Sequence, residues 1–337
     1  MKKVAVVGAG AFGFSVAWLL GKKYNSEKDI YLYDINKEWV EYIQKNRTHP
    51  IFHRGAFLDK GVTVSADLTT TLKKVDLVIL AIPSKFLRNA LASFRKQLTK
   101  EVVILNLAKG LEEGSGKRVS EIILEILGEE ISVGVLSGGM IAREVTLGNP
   151  LCAEIAFTDL ETAKRIGSFL SSETLRVDPT VDLVGVEYAG ALKNIVAIGA
   201  GIFDGAGYQE SSKSACISYL AGEAKRVALE LGAEEETFLP GRQAWMGDLL
   251  ATCFGASRNL EFGHLLGRGY ESKSAIEIMQ KQNKSVEGYL TIGAIAEVIK
   301  QQRIQAPLFL ELNRVVHQGG FGRDFINLVM SSGICQR

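Results

Sequence analysis

Short apolar runs alternate with stretches of helical periodicity through the N-terminal half of the chain. Seven runs rich in β-branched and aliphatic residues predict strands, at positions 3–7, 30–33, 75–82, 101–106, 131–136, 151–157 and 175–178. Runs that are apolar at nearly every position are typical of parallel strands buried on both faces. Strands that alternate with helices in this way predict a doubly wound parallel sheet with helices on both faces.

The pattern changes after Pro179, where strand signals fade and helical periodicities continue towards the C-terminus. A chain of 337 residues has the length expected of two domains of about 150 residues each. We therefore predict an α/β domain over residues 1–179 and an all-helical domain over residues 180–337.

A glycine-rich turn follows the first predicted strand, with the sequence Gly8-Ala-Gly-Ala-Phe-Gly13. In a G-x-G-x-x-G pattern the first glycine makes the tight turn, the second lets a pyrophosphate approach, and the third lets helix and strand pack closely. The second strand ends in Asp34, 21 positions after Gly13, where a ribose-binding carboxylate is expected. The two features together predict a nucleotide-binding unit rather than a plain tight turn.

Asp34 also bears on the choice of cofactor. A carboxylate accepts hydrogen bonds from the 2′-hydroxyl of NAD and repels the 2′-phosphate of NADP. The next three residues, Ile35, Asn36 and Lys37, include no arginine that could bind the phosphate. The sequence therefore favours NAD over NADP, and Lys37 leaves the alternative open.

Three further loops follow predicted strands and so lie at the carboxyl edge of the sheet, where such sheets bind ligands. Pro83 marks the first loop. Lys109, in the second, is a candidate contact for a bound anion or carbonyl, and a solvated loop lysine is the alternative. Gly138 and Gly139, in the third, allow close approach of the backbone.

The first long helix of the second domain is predicted over residues 185–201 and is rich in small residues. Lys193 is its only charged residue between Glu187 and Asp204, and the residues one turn away are small and apolar. A desolvated lysine can act as a proton donor or acceptor. The alternative is a lysine whose aliphatic chain packs against apolar neighbours while its ammonium group reaches water. We interpret the small residues as clearance for a substrate and a nicotinamide.

Two polar clusters follow in the helical domain. Asp248 and Thr252 are four residues apart, so a helix places them on one face. Arg258 and Asn259 follow Ser257 and form a cationic, amide-bearing cluster suited to an anion, because a guanidinium donates parallel hydrogen bonds to phosphate oxygens. An ordinary exposed pair is the alternative for Arg258 and Asn259.

Composition and charge narrow the classes of function. The net charge of +1 gives no electrostatic support for binding nucleic acid or a membrane surface. An uncharged run after Lys3 resembles a signal peptide or a membrane span, but its glycine spacing favours a nucleotide-binding loop. Four widely spaced cysteines lack metal-ligand spacing and indicate reduced thiols in a cytoplasmic protein: Cys152, Cys216, Cys253 and Cys335. We expect no metal, nucleic acid or membrane span.

In this order and spacing, the residues resemble the bacterial type of NAD(P)-dependent glycerol-3-phosphate dehydrogenase along the whole chain. The motifs that carry the resemblance are at positions 8–13, 81–84, 108–112, 192–195, 247–249, 252–253, 257–259 and 286–288. The resemblance implies a Rossmann-like domain that binds NAD(P) over residues 1–179. It implies that the helical domain over residues 180–337 binds the substrate and carries out catalysis, and that this domain is similar to the C-terminal domain of 6-phosphogluconate dehydrogenase. It also implies reversible hydride transfer between dihydroxyacetone phosphate and sn-glycerol 3-phosphate, the backbone of phospholipids, with NAD or NADP.

The resemblance implies roles for individual residues as well. Lys193 is the expected proton donor and acceptor, and Lys109 and Asp248 hold the substrate and this lysine. Contacts to the phosphorylated substrate are expected from Lys109, Gly138, Lys193, Asp248, Thr252, Ser257, Arg258 and Asn259, with the last two at the phosphate. Cofactor contacts are expected from Gly8, Gly10, Ala11, Phe12, Gly13, Asp34, Pro83, Lys109, Ala142, Arg258 and Glu287. A homodimer is the family expectation.

Some positions depart from the family pattern. Gly139 and Met140 stand where a proline and a small polar residue are usual, and Gln209 stands where asparagine is usual. Ile35 stands where many members have arginine, which strengthens the preference for NAD. These departures leave the reaction class unchanged and bear on substrate affinity and cofactor ratio.

Two other functions fit parts of the pattern. A different hydroxyacid dehydrogenase of the same two-domain type also has a Lys-Asn pair, but Arg258 and Asn259 beside Asp248 argue against it. A protein that only senses NAD would need none of the proton-transfer groups, whereas Lys109, Lys193 and Asp248 are all present.

Overall fold

The computed structural model describes residues 1–282 and 284–331, which form two compact units. The first unit contains residues 1–108 and 119–183, and the second contains residues 109–118 and the described chain from residue 184 onward. The segment 109–118 therefore groups with the second unit, although the predicted domain over residues 1–179 includes it.

An eight-stranded sheet forms the first unit. Its strands are β1 (Lys3–Val7), β2 (Asp29–Tyr33), β3 (Val62–Ser65), β4 (Leu77–Leu80), β5 (Val103–Asn106), β6 (Ser132–Ser137), β7 (Leu151–Phe157) and β8 (Leu175–Thr180). They lie in the order β3-β2-β1-β4-β5-β6-β7-β8. The sheet is parallel from β3 to β6, which confirms the predicted Rossmann-like fold.

Two strands depart from the prediction of an all-parallel sheet. β7 pairs antiparallel with β6, and β8 pairs parallel with β7. A parallel neighbour requires a long crossover that returns the chain to the amino end of the strands, whereas an antiparallel neighbour does not. The link between β6 and β7 contains only one short helix, so it suits the antiparallel pairing. The sequence pattern missed β3, because this edge strand of four residues buries only Val62 and Val64.

The helices of the first unit cover both faces of the sheet. They are α1 (Ala11–Tyr24), α2 (Lys37–Asn46), α3 (Leu68–Leu72), α4 (Ser84–Phe94), α5 (Val119–Leu127), α6 (Ala142–Leu147) and α7 (Leu160–Leu170). Alternate side chains of β1 enter opposite cores: Val4 and Val6 pack in one, and Ala5 and Val7 pack in the other. This double burial explains why the strand is apolar at successive positions.

The second unit is built mainly of helices around one core. They are α8 (Leu183–Gly205), α9 (Glu210–Glu230), α10 (Asp248–Phe254), α11 (Arg258–Gly267), α12 (Ser272–Lys281), α13 (Glu287–Gln302), α14 (Pro307–His317) and α15 (Gly322–Ser331). Of the described helices, α8 alone is long and apolar enough to cross a membrane, by length and composition only. Its most apolar stretch is 94% buried inside the protein, which is typical of a core helix.

Glycines on α8 and α11 bring the backbones of these two helices into contact. A Cβ atom on Gly201 would lie 2.2 Å from the carbonyl oxygen of Leu260, and one on Gly263 would lie 2.1 Å from the carbonyl oxygen of Ile198. No side chain larger than hydrogen fits at either position. The interpretation of the small residues as clearance for a substrate and a nicotinamide is therefore wrong at Gly201, which serves helix packing.

Glu223 of α9 caps the start of another helix. Its side chain is buried, and its Oε1 atom accepts a hydrogen bond from the N–H of Phe309 at 2.6 Å, in the first turn of α14. The N-cap residue of α14, Ala306, has no side-chain acceptor of its own. Burial raises the pKa of Glu223 to about 7, although the N–H groups of Phe309 and Leu308 act to lower it.

We expect Glu223→Gln to remove a pH dependence from stability. A carboxyl whose pKa rises from 4.5 to about 7 on folding favours the folded state below pH 4.5, and this contribution is lost as pH rises to about 7. Glutamine keeps an acceptor oxygen without the charge. The variant should be more stable than wild type at pH 8 by about 1–3 kcal/mol and similar near pH 4.5.

Urea unfolding between pH 4.5 and 8 measures this difference. Glu230→Gln, at the exposed end of the same helix, is the control and should follow the wild-type pH dependence. Parallel pH profiles for wild type and Glu223→Gln would contradict the assignment of this titration to Glu223.

Candidate active site

The glycine-rich turn lies at the carboxyl end of β1. Gly8 has a φ of +107°, and a Cβ atom there would lie 2.6 Å from the carbonyl oxygen of Ala81. A Cβ atom on Gly13 would lie 1.8 Å from the carbonyl oxygen of Gly8. Gly10 caps α1 without a side chain, and a Cβ atom there would meet nothing within 4 Å. The first and third glycines thus serve packing, and the open space at Gly10 fits a pyrophosphate beside the helix N-terminus.

Asp34 lies beside this turn. Its Oδ2 atom accepts a hydrogen bond from the N–H of Ala9 at 2.6 Å, and its Oδ1 atom accepts one from the N–H of Asn36 at 2.8 Å. Each carboxylate oxygen can accept more than one hydrogen bond, so the group can still bind ribose hydroxyls. Ile35, the next residue, is 84% exposed. These residues fit a dinucleotide, and the contact of Asp34 with the ribose stays a prediction.

Four more predicted contacts lie in the first unit. Phe12 packs partly buried against one core, Pro83 caps α4, and Ala142 is the first residue of α6. A Cβ atom on Gly138 would lie 2.8 Å from the Cα atom of Ala153, so this glycine serves packing against β7. Met140 is buried in the core. The roles of the four residues in binding stay predictions.

Two lysines meet at one carboxylate in the second unit. Lys193 Nζ donates hydrogen bonds to Asp248 Oδ1 at 2.8 Å and to Thr252 Oγ1 at 2.7 Å. Lys109 Nζ donates to Asp248 Oδ2 at 2.6 Å. Asp248 and Thr252 share one face of α10, and Lys193 comes from α8. The structure thus brings together Lys109, Lys193 and Asp248, which the sequence predicts as the catalytic residues.

Burial and charge shape the electrostatics of this trio. Burial acts to raise the pKa of Asp248, but the ammonium groups of Lys109 and Lys193 outweigh it and hold this pKa below its usual value. Burial lowers the pKa of Lys109, against the attraction of Asp248, and the charge of Lys193 lowers it further. Two positive charges and one negative charge leave the trio with one excess positive charge. Buried positive charge of this kind favours a bound anion, or negative charge that develops on a nearby oxygen.

Lys193 retains capacity for a substrate. An ammonium group has three N–H donors, and Asp248 and Thr252 take two of them. The Thr252 hydroxyl donates to the carbonyl oxygen of Asp248 at 2.6 Å, so it faces Lys193 as an acceptor. The third N–H of Lys193 can donate a hydrogen bond to the carbonyl oxygen of a substrate.

Two asparagines and a glycine link three helices beside the trio. Asn259 Oδ1 accepts a hydrogen bond from the N–H of Gly288 at 2.9 Å, which fixes the orientation of its amide. Asn259 Nδ2 then donates to Asn194 Oδ1 at 2.8 Å. A Cβ atom on Gly288 would lie 2.9 Å from Asn259 Oδ1, so only glycine leaves room for this contact. Asn194 received no role from the sequence, although it directly follows Lys193.

The other predicted residues of the second unit lie at the starts of helices. Ser257 caps α11, Arg258 is its exposed first residue, and Glu287 is the first residue of α13. Arg258 Nη1 donates to Ser285 Oγ at 2.9 Å. The carboxylate of Glu287 acts to raise the pKa of Lys109, which places its charge near the trio. Gln209 caps α9 without a side-chain hydrogen bond.

A small hairpin carries Lys109 into the second unit. Leu111 and Arg118 form an antiparallel bridge, and the side chain of Leu111 is buried in the core of the second unit. Arg118 Nη1 pairs with Glu187 Oε2 of α8 at 2.8 Å, with both side chains largely buried. Sequence reasoning missed this ion pair, although a charged residue at the apolar start of α8 was a signal for it.

The three cysteines of the described chain form no disulfide. Cys152 is exposed, Cys216 and Cys253 are buried, and all three are free thiols. Cys335 lies outside the described residues. Residues 1–282 and 284–331 contain no group of three or more histidine, cysteine, aspartate or glutamate side chains that could hold a metal ion.

Two family profiles match most of the chain. The profile described as the N-terminus of NAD-dependent glycerol-3-phosphate dehydrogenase matches residues 3–163. The profile described as the C-terminus of the same enzyme matches residues 182–327. Together they match most of both units.

Individual proteins show the same similarity. A glycerol-3-phosphate dehydrogenase (NAD(P)+) of Geobacillus kaustophilus is 35% identical over 338 residues, which cover 99% of this chain and 95% of that protein. One of Staphylococcus carnosus is 34% identical over 311 residues, with 91% of each chain covered. The crystal structure of glycerol-3-phosphate dehydrogenase from Coxiella burnetii has the same fold, with a TM-score of 0.89 at 24% identity, and covers 98% of this chain and 99% of that one.

Proposed function

Since this chain belongs to the family of NAD-dependent glycerol-3-phosphate dehydrogenases, we propose that it interconverts dihydroxyacetone phosphate and sn-glycerol 3-phosphate. Reduction takes a hydride and a proton to the C2 carbonyl and yields NAD or NADP in oxidised form, and oxidation reverses these transfers. The observation that carries the proposal is the contact of Lys109 and Lys193 with opposite oxygens of Asp248. A buried pair of ammonium groups fits a reaction that builds negative charge on oxygen.

The protein's own residues supply the proton and the charge. A reduced nicotinamide, when bound, supplies the hydride. Lys193 donates its third N–H to the ketone oxygen and passes that proton to it as charge develops there. Asp248 and Thr252 orient the Lys193 ammonium through their two hydrogen bonds, and Lys109 adds a second positive charge. General acid catalysis of this kind contributes typically about 10²–10⁴-fold to the rate.

The N-terminus of α11 is the proposed phosphate site. Arg258 is exposed at its first position, and the helix end offers N–H groups to an anion. Asn259 lies next to it and is linked to Asn194, the residue after Lys193. This chain of contacts supports a substrate that spans from the lysine to the arginine.

Arg258→Ala should raise the KM for dihydroxyacetone phosphate about 10- to 100-fold, the factor expected for loss of charged hydrogen bonds. The change in kcat should be small, because Arg258 does not contact the trio in the described structure. Steady-state kinetics at saturating cofactor give both constants. Arg268→Ala, exposed at the opposite end of α11, is the matched control and should behave as wild type. Wild-type KM in Arg258→Ala would mean that the phosphate binds elsewhere.

The cofactor is NAD by preference, and NADP is the alternative. The support is the Asp34 carboxylate beside the glycine-rich turn, followed by the exposed apolar side chain of Ile35. Remaining cofactor contacts are proposed at Gly8, Gly10 and the first turn of α1. We propose further that the enzyme acts as a cytoplasmic homodimer and supplies glycerol phosphate for phospholipids. The family resemblance supports this proposal.

Initial rates with dihydroxyacetone phosphate, measured with NADH and with NADPH, test the proposed function. We expect turnover with dihydroxyacetone phosphate and a higher kcat/KM for NADH. A panel of 2-hydroxy and 3-hydroxy acids, assayed with the oxidised cofactors, forms the comparison. Turnover of those acids without turnover of dihydroxyacetone phosphate would reject the assignment, and binding of NADH without any turnover would favour a sensor.

A further inference from the structure

His53 adopts a backbone conformation that residues other than glycine seldom adopt. Its φ is +55°, in the left-handed region. For a residue with a Cβ atom this conformation costs roughly 1–2 kcal/mol, and it persists where surrounding contacts hold it. The contacts of the His53 side chain therefore indicate the role for which this backbone conformation is maintained.

Both ring nitrogens of His53 contact other elements of the first unit. Its Nε2 atom lies 2.6 Å from the carbonyl oxygen of Ala11, the first residue of α1. A carbonyl oxygen only accepts, so Nε2 must carry the hydrogen. Its Nδ1 atom lies 3.3 Å from Thr146 Oγ1 of α6. The one hydroxyl hydrogen of Thr146 is donated to the carbonyl oxygen of Arg143 at 2.9 Å, so Nδ1 of His53 packs beside this hydroxyl, and the hydrogen bond of the imidazole is the one to Ala11.

The ring also packs on the same turn of α1. Its plane stacks on Phe14 with 5.6 Å between ring centres and 13° between planes. A preceding turn presents the ring: buried His49 accepts hydrogen bonds through Nδ1 from the N–H groups of Ile51 at 3.0 Å and Phe52 at 3.1 Å. The segment 49–53 thus forms a support behind the first turn of α1.

We propose that His53 is a positioning residue for the dinucleotide, because it fixes the first turn of α1 through its hydrogen bond to Ala11 and its stacking on Phe14. The pyrophosphate is expected at the N–H groups of this turn, beside the open space at Gly10. A shift of Ala11 would move those donors. The inference rests on the proposed function, in which this turn binds NAD or NADP.

The test compares NADH binding to three purified full-length variants by fluorescence titration, together with steady-state kinetics. His53→Leu removes the hydrogen bond to Ala11 and should raise the Kd for NADH about fivefold, the factor that one hydrogen bond of about 1 kcal/mol represents. His53→Gln keeps an N–H donor of similar reach and should restore the Kd to within about twofold. KM for dihydroxyacetone phosphate should stay within about twofold in both.

His317→Leu is the matched control, because His317 Nε2 also contacts a backbone carbonyl, that of Tyr289 at 2.8 Å, within the second unit. Its Kd for NADH should equal that of wild type. Lower thermal stability of His53→Leu with an unchanged Kd would show a structural role only and overturn the inference. A Kd for His53→Gln as weak as that for His53→Leu would overturn the hydrogen-bond argument.

The outcome separates the inference from the proposed function. Unchanged NADH binding in His53→Leu, with dihydroxyacetone phosphate still reduced, overturns the inference and leaves the proposed function standing. Failure of the wild-type protein to bind either NADH or NADPH overturns both.

Discussion

Lys193→Ala lowers kcat for dihydroxyacetone phosphate reduction by about 10²–10⁴-fold, the range of general acid catalysis, and leaves the Kd for NADH unchanged. The expectation follows from the position of Nζ, which bonds Asp248 and Thr252 and keeps a third N–H for the substrate. Alanine removes the donor, whereas Asp248 keeps its pair with Lys109. The variant should therefore fold, bind cofactor and fail in proton transfer.

Single-turnover kinetics and fluorescence titration of NADH measure these two effects separately. Methylamine added to Lys193→Ala should restore part of the rate, because a small amine can occupy the space left by the side chain. Lys225→Ala is the control. Lys225 Nζ pairs with Glu235 Oε1 at 2.7 Å and is not part of the trio, so this variant should keep the wild-type kcat. An unchanged kcat in Lys193→Ala would remove Lys193 from the reaction.

Asp248→Asn should combine a large loss of stability with a loss of activity. The carboxylate is 3% exposed and is the shared partner of two ammonium groups. An amide carries no charge, and it has one acceptor oxygen where two are needed. Removing one member of a buried ion pair typically costs about 3–5 kcal/mol. We expect a decrease of that size in the free energy of unfolding at pH 7.

The pH dependence of this loss identifies its cause. Burial already lowers the pKa of Lys109, and without Asp248 the attraction that opposes this effect is gone. A lysine whose pKa is lower in the folded state destabilises that state as pH falls. The difference in the free energy of unfolding between wild type and Asp248→Asn should therefore shrink as pH rises towards 10. Urea unfolding of Asp248→Asn between pH 7 and 10 measures the trend. Asp178→Asn, at an exposed pair with Arg176, should cost at most about 1 kcal/mol. A constant deficit would contradict the electrostatic account.

Local patterns predicted the elements of the fold well where burial was complete. β1 and β7 have the bounds that their apolar runs predict, because both faces of these strands are covered. β3 escaped detection because an edge strand needs few apolar residues. The direction of β7 depends on how the chain returns from β6, which no local pattern records.

In the candidate site too, the sequence predicted the features that depend on local geometry and missed those that depend on contacts between distant segments. The i, i+4 spacing of Asp248 and Thr252 predicted their common face, because a helix fixes that geometry locally. The contact of Lys109 with Asp248 spans 139 positions, and only the family resemblance suggested it. The amide orientation of Asn259 and the glycine at 288 depend on packing between helices that are far apart in sequence. Small residues misled the interpretation of α8, because helix contact and ligand clearance require the same residue types.

The hairpin of residues 109–118 has a consequence for how the protein is made. The chain passes between the two units after residues 108, 118 and 183. Leu111 therefore leaves the ribosome well before α8, whose side chains share its core, has been synthesised. Until then its side chain stays in water or in provisional contacts. A fragment that begins at residue 180 also lacks Lys109. A second unit produced in this way would therefore contain only one of the two ammonium groups that pair with Asp248.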